Sequence, residues 1–143
     1  MDQRISLITL GVDDLARARR FYEGGLGWTP IQALDDVCFY QLPGLALALF
    51  GRQALAEDAH RSVDGGFSGV TIAINERSPD AVDRVFAQAL DAGASALKRP
   101  EAVFWGGYCG YFADPDGHVW EVAHNPGCTI HPDGRTTFGT TAS

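Results

Sequence analysis

The chain has 143 residues, 45% of them hydrophobic, and a net charge of −7, enough for one cored domain or for two small halves packed together. That acidic balance excludes the basic footprint that nucleic acid and anionic membrane surfaces require. No apolar run approaches the roughly 20 residues of a spanning helix, and no signal-type block follows Met1-Asp2-Gln3-Arg4, so a freely diffusing cytoplasmic protein is expected, without nucleic-acid or membrane partners.

Residues 5–12 alternate as a strand, and Asp13-Asp14 then offers an N-cap ahead of Leu15, Ala18, Phe21 and Tyr22 at helical spacing. Gly24-Gly25 stops that helix. Residues 37–42 and 45–50 read as two strands joined at Pro43-Gly44. Residues 51–66 form a polar connector with one helical turn over 53–59. The second half repeats the plan. Residues 69–74 form a strand, Ser78-Pro79 cap and open a helix, and Val82, Val85, Phe86, Ala89 and Leu90 form its apolar stripe. Ala92-Gly93-Ala94 ends it. Residues 104–113 and 118–124 then make a hairpin around the Asp114-Pro115-Asp116-Gly117 turn. Aligning the halves puts Leu7 on Gly69, Thr9 on Thr71 and Ala48 on Glu121. Each half is a β-α-β-β-β-like unit, module one over about 4–51 and module two over about 67–126, in a single domain spanning 1–126. The tail, 127–143, has Ile130 and Phe138 as its large apolar anchors, and its last residues are expected to be disordered.

The last strand carries the most chemistry. Alternation puts Val119, Glu121 and Ala123 on one face and His118, Trp120, Val122 and His124 on the other. Glu121 therefore stands on an apolar surface, where a carboxylate has a raised pKa. A general base, a ligand acceptor and an internally paired vestige are all open for it. His124 faces away from Glu121, and His60, His118 and His131 sit in polar segments. Trp105, Tyr108, Tyr111 and Phe112 crowd one stretch with Gly106-Gly107 and Gly110 between them. They are either core or the wall of a cleft that admits a flat organic ligand, with Trp28, Phe39 and Phe67 as further walls. Neither glycine pair has phosphate-loop spacing. Cys38, Cys109 and Cys128 read as small buried hydrophobes, since they have no metal-type spacing and no marked activating partner.

Leu10-Gly11-Val12-Asp13-Asp14-Leu15 leading to Phe21-Tyr22 and Leu26-Gly27, then Ala92-Gly93-Ala94, then Tyr111-Phe112-Ala113-Asp114-Pro115-Asp116-Gly117 leading to Trp120-Glu121, together resemble the vicinal oxygen chelate superfamily. That group includes glyoxalase I, bleomycin and fosfomycin resistance proteins and extradiol dioxygenases. The resemblance implies an α+β fold of two tandem βαβββ modules, whose mixed sheet curves around a central cleft with helices on the convex side. It also implies four cleft-facing metal positions, which fall here on Leu7, Ala48, Gly69 and Glu121. Only Glu121 can ligate a divalent ion. Shifting the register by one brings no imidazole or carboxylate. No metal and no cofactor are therefore expected. As in the bleomycin resistance branch, the expectation is a small organic ligand held by Glu121, Trp105, Leu7, Ala48, Gly69 and Tyr111 in a homodimer. The enzymatic alternative is a lyase, isomerase or dioxygenase using Glu121 as base or as a lone retained metal ligand. A ligand-free interaction subunit is the third reading.

Overall fold

A computed structural model of the chain describes residues 1–25, 27–63, 66–113 and 117–139. In the first half, β1 (Leu7–Val12) leads to α1 (Leu15–Arg19), which runs on into a π-helical turn, Arg20–Gly25. The Asp14 side chain caps α1 by accepting from the Arg17 amide at 2.9 Å, as its place before the apolar stripe dictates. Three strands follow: β2 (Gln32–Ala33), β3 (Val37–Leu42) and β4 (Leu45–Gly51). The second half runs β5 (Val70–Asn75), α3 (Pro79–Asp91), β6 (Ser95–Ala102), β7 (Tyr108–Ala113) and β8 (Val119–His124). Ser78 caps α3 by accepting from the Ala81 amide at 3.2 Å. Between the halves lies α2 (Arg52–Asp58), and after them a hairpin of β9 (Cys128–Ile130) and β10 (Thr136–Phe138).

The eight strands β1 to β8 form one sheet in the order β2-β3-β4-β1-β5-β8-β7-β6. Each half contributes four neighbouring strands, with β1 parallel to β4 and β5 parallel to β8, and the two halves join through the antiparallel β1–β5 pair. The duplication read from the sequence is thus a duplication of topology. One sheet face is covered by helices. Ile74, Val122 and Phe112 pack against Val82 and Phe86 of α3. Cys38, Tyr40 and Leu49 pack with Leu10, Leu15, Tyr22 and Trp28 under α1. Burying a side chain such as Phe86 contributes about 2–3 kcal/mol, which is what holds each helix to its module. The opposite, concave face carries Leu7, Ala46, Ala48 and Ala73.

Three elements differ from the expectation. β6 carries Lys98, Arg99, Pro100 and Glu101, a composition without strand alternation, yet it pairs with β7 through two register shifts. It is an edge strand, where proline costs no ladder bond. Gly110 serves that pairing, since a Cβ there would stand 2.8 Å from the Pro100 nitrogen. Residues 104–107 form a turn rather than strand, with Phe104 fully exposed. The tail past residue 126 is ordered as the β9–β10 hairpin, because Phe138 finds an apolar seat among Leu7, Ala46, Ala48 and Ala73. The Asp114-Pro115-Asp116 turn and the final residues 140–143 lie outside the described residues; Gly117, at the turn's end, has φ +91°. Among the described residues no helix is long and apolar enough to cross a membrane.

Candidate functional site

Strand pairing lays the concave face out in rows. One row runs Ala46, Leu7, Ala73, Glu121, Tyr111 across β4, β1, β5, β8 and β7. The next runs Phe39, Ala48, Thr9, Thr71. Leu7, Ala48, Glu121 and Tyr111 are therefore brought onto one face. Trp105 is not. It lies on the turn past the Tyr108–His124 pair, three pairs beyond Tyr111–Glu121, or about 10 Å along the strand. Its ring covers Gly107, and it is 44% exposed.

Gly69 also falls outside the row. It precedes β5 with φ +81°, a left-handed conformation that ends the strand geometry there. The alignment that puts Ala48 on Glu121 puts Ala46, the β4 partner of Leu7, on Val119. Since Ile72 pairs with Trp120, the residue one step back beside Val119 is Thr71. Thr71, rather than Gly69, is the counterpart of Leu7. A slip of two residues leaves every side chain on the same face, so alternation alone cannot detect it.

Glu121 belongs to a polar chain that the sequence did not reveal. The Tyr111 hydroxyl, on a residue 2% exposed, donates to Asp58 Oδ2 at 2.7 Å, and Tyr111 is the cross-strand partner of Glu121. Asp58 pairs with Lys98 Nζ at 3.1 Å. Burial pushes the Glu121 carboxyl up to about 7; the neighbouring Tyr111 hydroxyl pulls it down and the Asp58 charge pushes it up. Burial, together with the Glu121 and Asp58 charges, holds the Tyr111 hydroxyl well above its ordinary range. Asp58 comes from the connector helix, which packs against β1 and β4 and brings its C-terminal end to module two, where Ala59 is seated against Tyr111 and Val119. The available signal was the apolar pattern of Leu55, Ala56 and Ala59 around the acidic pair Glu57-Asp58. Over module one the roof is the C-terminal hairpin. Gln41 Oε1 accepts from the Phe138 amide at 2.7 Å while its Nε2 donates to the Thr136 carbonyl at 3.3 Å.

The four positions Leu7, Ala48, Thr71 and Glu121 offer one carboxylate and one hydroxyl, and these do not fit a divalent cation, which needs several converging N, O or S ligands. Among the described residues no three of His, Cys, Asp and Glu converge. The histidines serve elsewhere: His124 Nδ1 lies 3.0 Å from the Glu76 carbonyl and His60 Nδ1 lies 3.1 Å from that of Leu97. Cys38 and Cys109 are buried and unpaired, and burial pushes the Cys109 thiol up to about 12, away from nucleophile chemistry.

The family model of the Glyoxalase/Bleomycin resistance protein/Dioxygenase superfamily matches residues 4–122. The chain belongs to this superfamily. A glyoxalase-related enzyme from Fulvimarina pelagi is 38% identical, with 96% of this chain and 99% of that one covered and a TM-score of 0.48. The Mn(II)-bound glyoxalase from Novosphingobium aromaticivorans shares the fold at TM-score 0.58 and 21% identity, over 97% of this chain and 42% of that one. An uncharacterised protein of Mycobacterium bovis is 32% identical over 127 residues, 79% of this chain and 78% of that protein. Glyoxalase-type tandem modules thus account for the topology.

Proposed function

We propose that this glyoxalase/bleomycin resistance-like protein binds a small organic molecule on the concave face without a metal. The observation that carries the reading is Glu121 standing as a single carboxylate in a row with Ala46, Leu7 and Ala73 on one side and Tyr111 on the other. An apolar floor contributes affinity in proportion to the area it removes from water, about 25 cal/mol per Å² before the costs of association, and Glu121 with Tyr111 fixes orientation. Entry of a ligand requires movement of α2 or of the hairpin, since both cover this face. Titration calorimetry of a library of neutral and charged aromatic compounds, on the wild type and on Glu121→Gln and Leu7→Trp, tests it. Binding lost in Leu7→Trp and altered in Glu121→Gln supports the cleft; a library with no such compound overturns it.

One observation favours a second, enzymatic reading: a carboxyl titrating near 7 is matched to proton transfer at physiological pH. In that reading Glu121 exchanges a proton with bound substrate and Tyr111 orients it. Turnover abolished in Glu121→Gln with binding retained distinguishes this from sequestration. A cytoplasmic homodimer remains part of the proposal.

A further inference from the structure

The concave face holds a second polar group one row from Glu121. Thr9 and Thr71 are cross-strand partners, 8% and 2% exposed, with Cβ atoms on the order of 5 Å apart. Among the described residues neither hydroxyl has a hydrogen-bond partner. No fully buried side-chain oxygen among the described residues lacks a partner, so both hydroxyls still open onto reachable space on an otherwise covered face. Burying a hydroxyl without a partner costs stability, and two side by side on a cleft floor point to a ligand.

Two residues further along the same face, Gly11 lies opposite Gly69 and donates its amide to the Gly69 carbonyl. This is where the Arg52 side chain is seated. A Cβ on Gly69 would stand 2.7 Å from Arg52 Nη1, and one on Gly11 would stand 3.3 Å from Arg52 Cα. Gly69 thus leaves room for the guanidinium and Gly11 for the Arg52 backbone. Arg52 Nη2 donates to the Phe67 carbonyl at 3.1 Å, which holds the fork while leaving other N–H groups free. Among the described residues no carboxylate pairs with it.

We propose that Arg52, Thr9 and Thr71 form a carboxylate subsite, and that the ligand of the concave face is a small monocarboxylic acid. This rests on the binding reading above. A guanidinium matches a carboxylate in geometry and in charge, one against one, and the two hydroxyls donate to the same oxygens. The apolar body of the acid then lies along Ala73, Leu7 and Ala48 towards Glu121. A cationic ligand is disfavoured, because its charge would approach Arg52.

Calorimetric titration of the full chain with benzoate and with its neutral isostere benzamide tests the subsite. Benzoate is expected to bind the wild type more tightly than benzamide. Arg52→Gln should weaken benzoate about tenfold or more, and Thr71→Val, isosteric and at home in a strand, about threefold or more, with benzamide nearly unchanged in both. Thermal melts identify any variant that fails to fold, and Thr71→Val then carries the test alone. Benzoate affinity unaffected by both substitutions, or benzamide binding as tightly as benzoate, overturns the subsite. Benzamide binding that still depends on Glu121 leaves the cleft standing without the subsite. No binding of either probe to any form removes both.

Discussion

Tyr111 donates its single hydroxyl proton to Asp58 Oδ2 at 2.7 Å, which ties the connector helix to the strand paired with Glu121. Glu121 is the cross-strand partner of Tyr111. Burial is the main reason that the Glu121 carboxyl is pushed up to about 7, and the neighbouring Tyr111 hydroxyl pulls it down.

Tyr111→Phe removes the hydroxyl whose influence lowers Glu121, so the Glu121 carboxyl should titrate above its wild-type value of about 7. Carbon-detected NMR titration of the Glu121 side chain reads this directly. A downward shift would contradict the chain of contacts. The same substitution should cost about 1–3 kcal/mol in urea unfolding, since Asp58 loses a buried donor.

The folded-state pKa of Glu121 is raised from 4.5 to about 7. Its contribution to stability is fully present below about 4.5 and is lost as pH rises through about 7, because the folded state holds a proton that the unfolded state gives up. The window amounts to roughly 3 kcal/mol or less, reduced by partial exposure. Glu121→Gln should flatten the slope between pH 5 and pH 8, measured by urea midpoints, and should be the more stable form at the upper end. Parallel pH profiles for the two proteins would refute the assignment.

Phe138 fills the apolar seat over Leu7, Ala46, Ala48 and Ala73. Phe138→Ala should therefore cost about 3–5 kcal/mol if the hairpin unfolds with the rest of the domain. Gln41→Ala, which cuts the two hydrogen bonds from Gln41 to the hairpin, should speed hydrogen exchange at the Phe138 amide while leaving the amides of β5 protected. Uniform exchange across both elements would show that the hairpin does not open separately.

Elemental analysis after mild dialysis should find well under one equivalent of Zn, Ni, Mn or Fe per chain, because Leu7, Ala48 and Thr71 supply no imidazole or carboxylate beside Glu121. A stoichiometric metal that disappears in Glu121→Gln would reverse this expectation.

Phe104 is fully exposed and Trp105 is 44% exposed beside it, next to the edge strand β6. An open edge flanked by aromatic side chains is a natural pairing surface. Light scattering should give twice the 15.4 kDa chain mass in the micromolar range, and Phe104→Ser should shift it towards one chain. A wild-type monomer across that range would exclude the homodimer.

What the sequence determined is what depends on near neighbours. The caps at Asp14 and Ser78, the apolar stripe of α3 and the period-two faces of β1, β4, β5 and β8 are each encoded within a few residues, so the two modules and the isolation of Glu121 on an apolar face were legible. The long-range facts were not. A slip of two residues keeps every face intact, so only strand pairing exchanges Gly69 for Thr71. β6 is a strand because β7 offers it an edge, despite Pro100 and its charges. Asp58 and Phe138 reach the concave face because α2 and the hairpin find apolar seats there, and Arg52 reaches Gly69 because two glycines on separate strands leave it room. Those contacts join residues far apart in the chain. Their energies come from burial and pairing that exist only once the sheet has closed the distance, so the tertiary structure alone decided which side chains meet at the site.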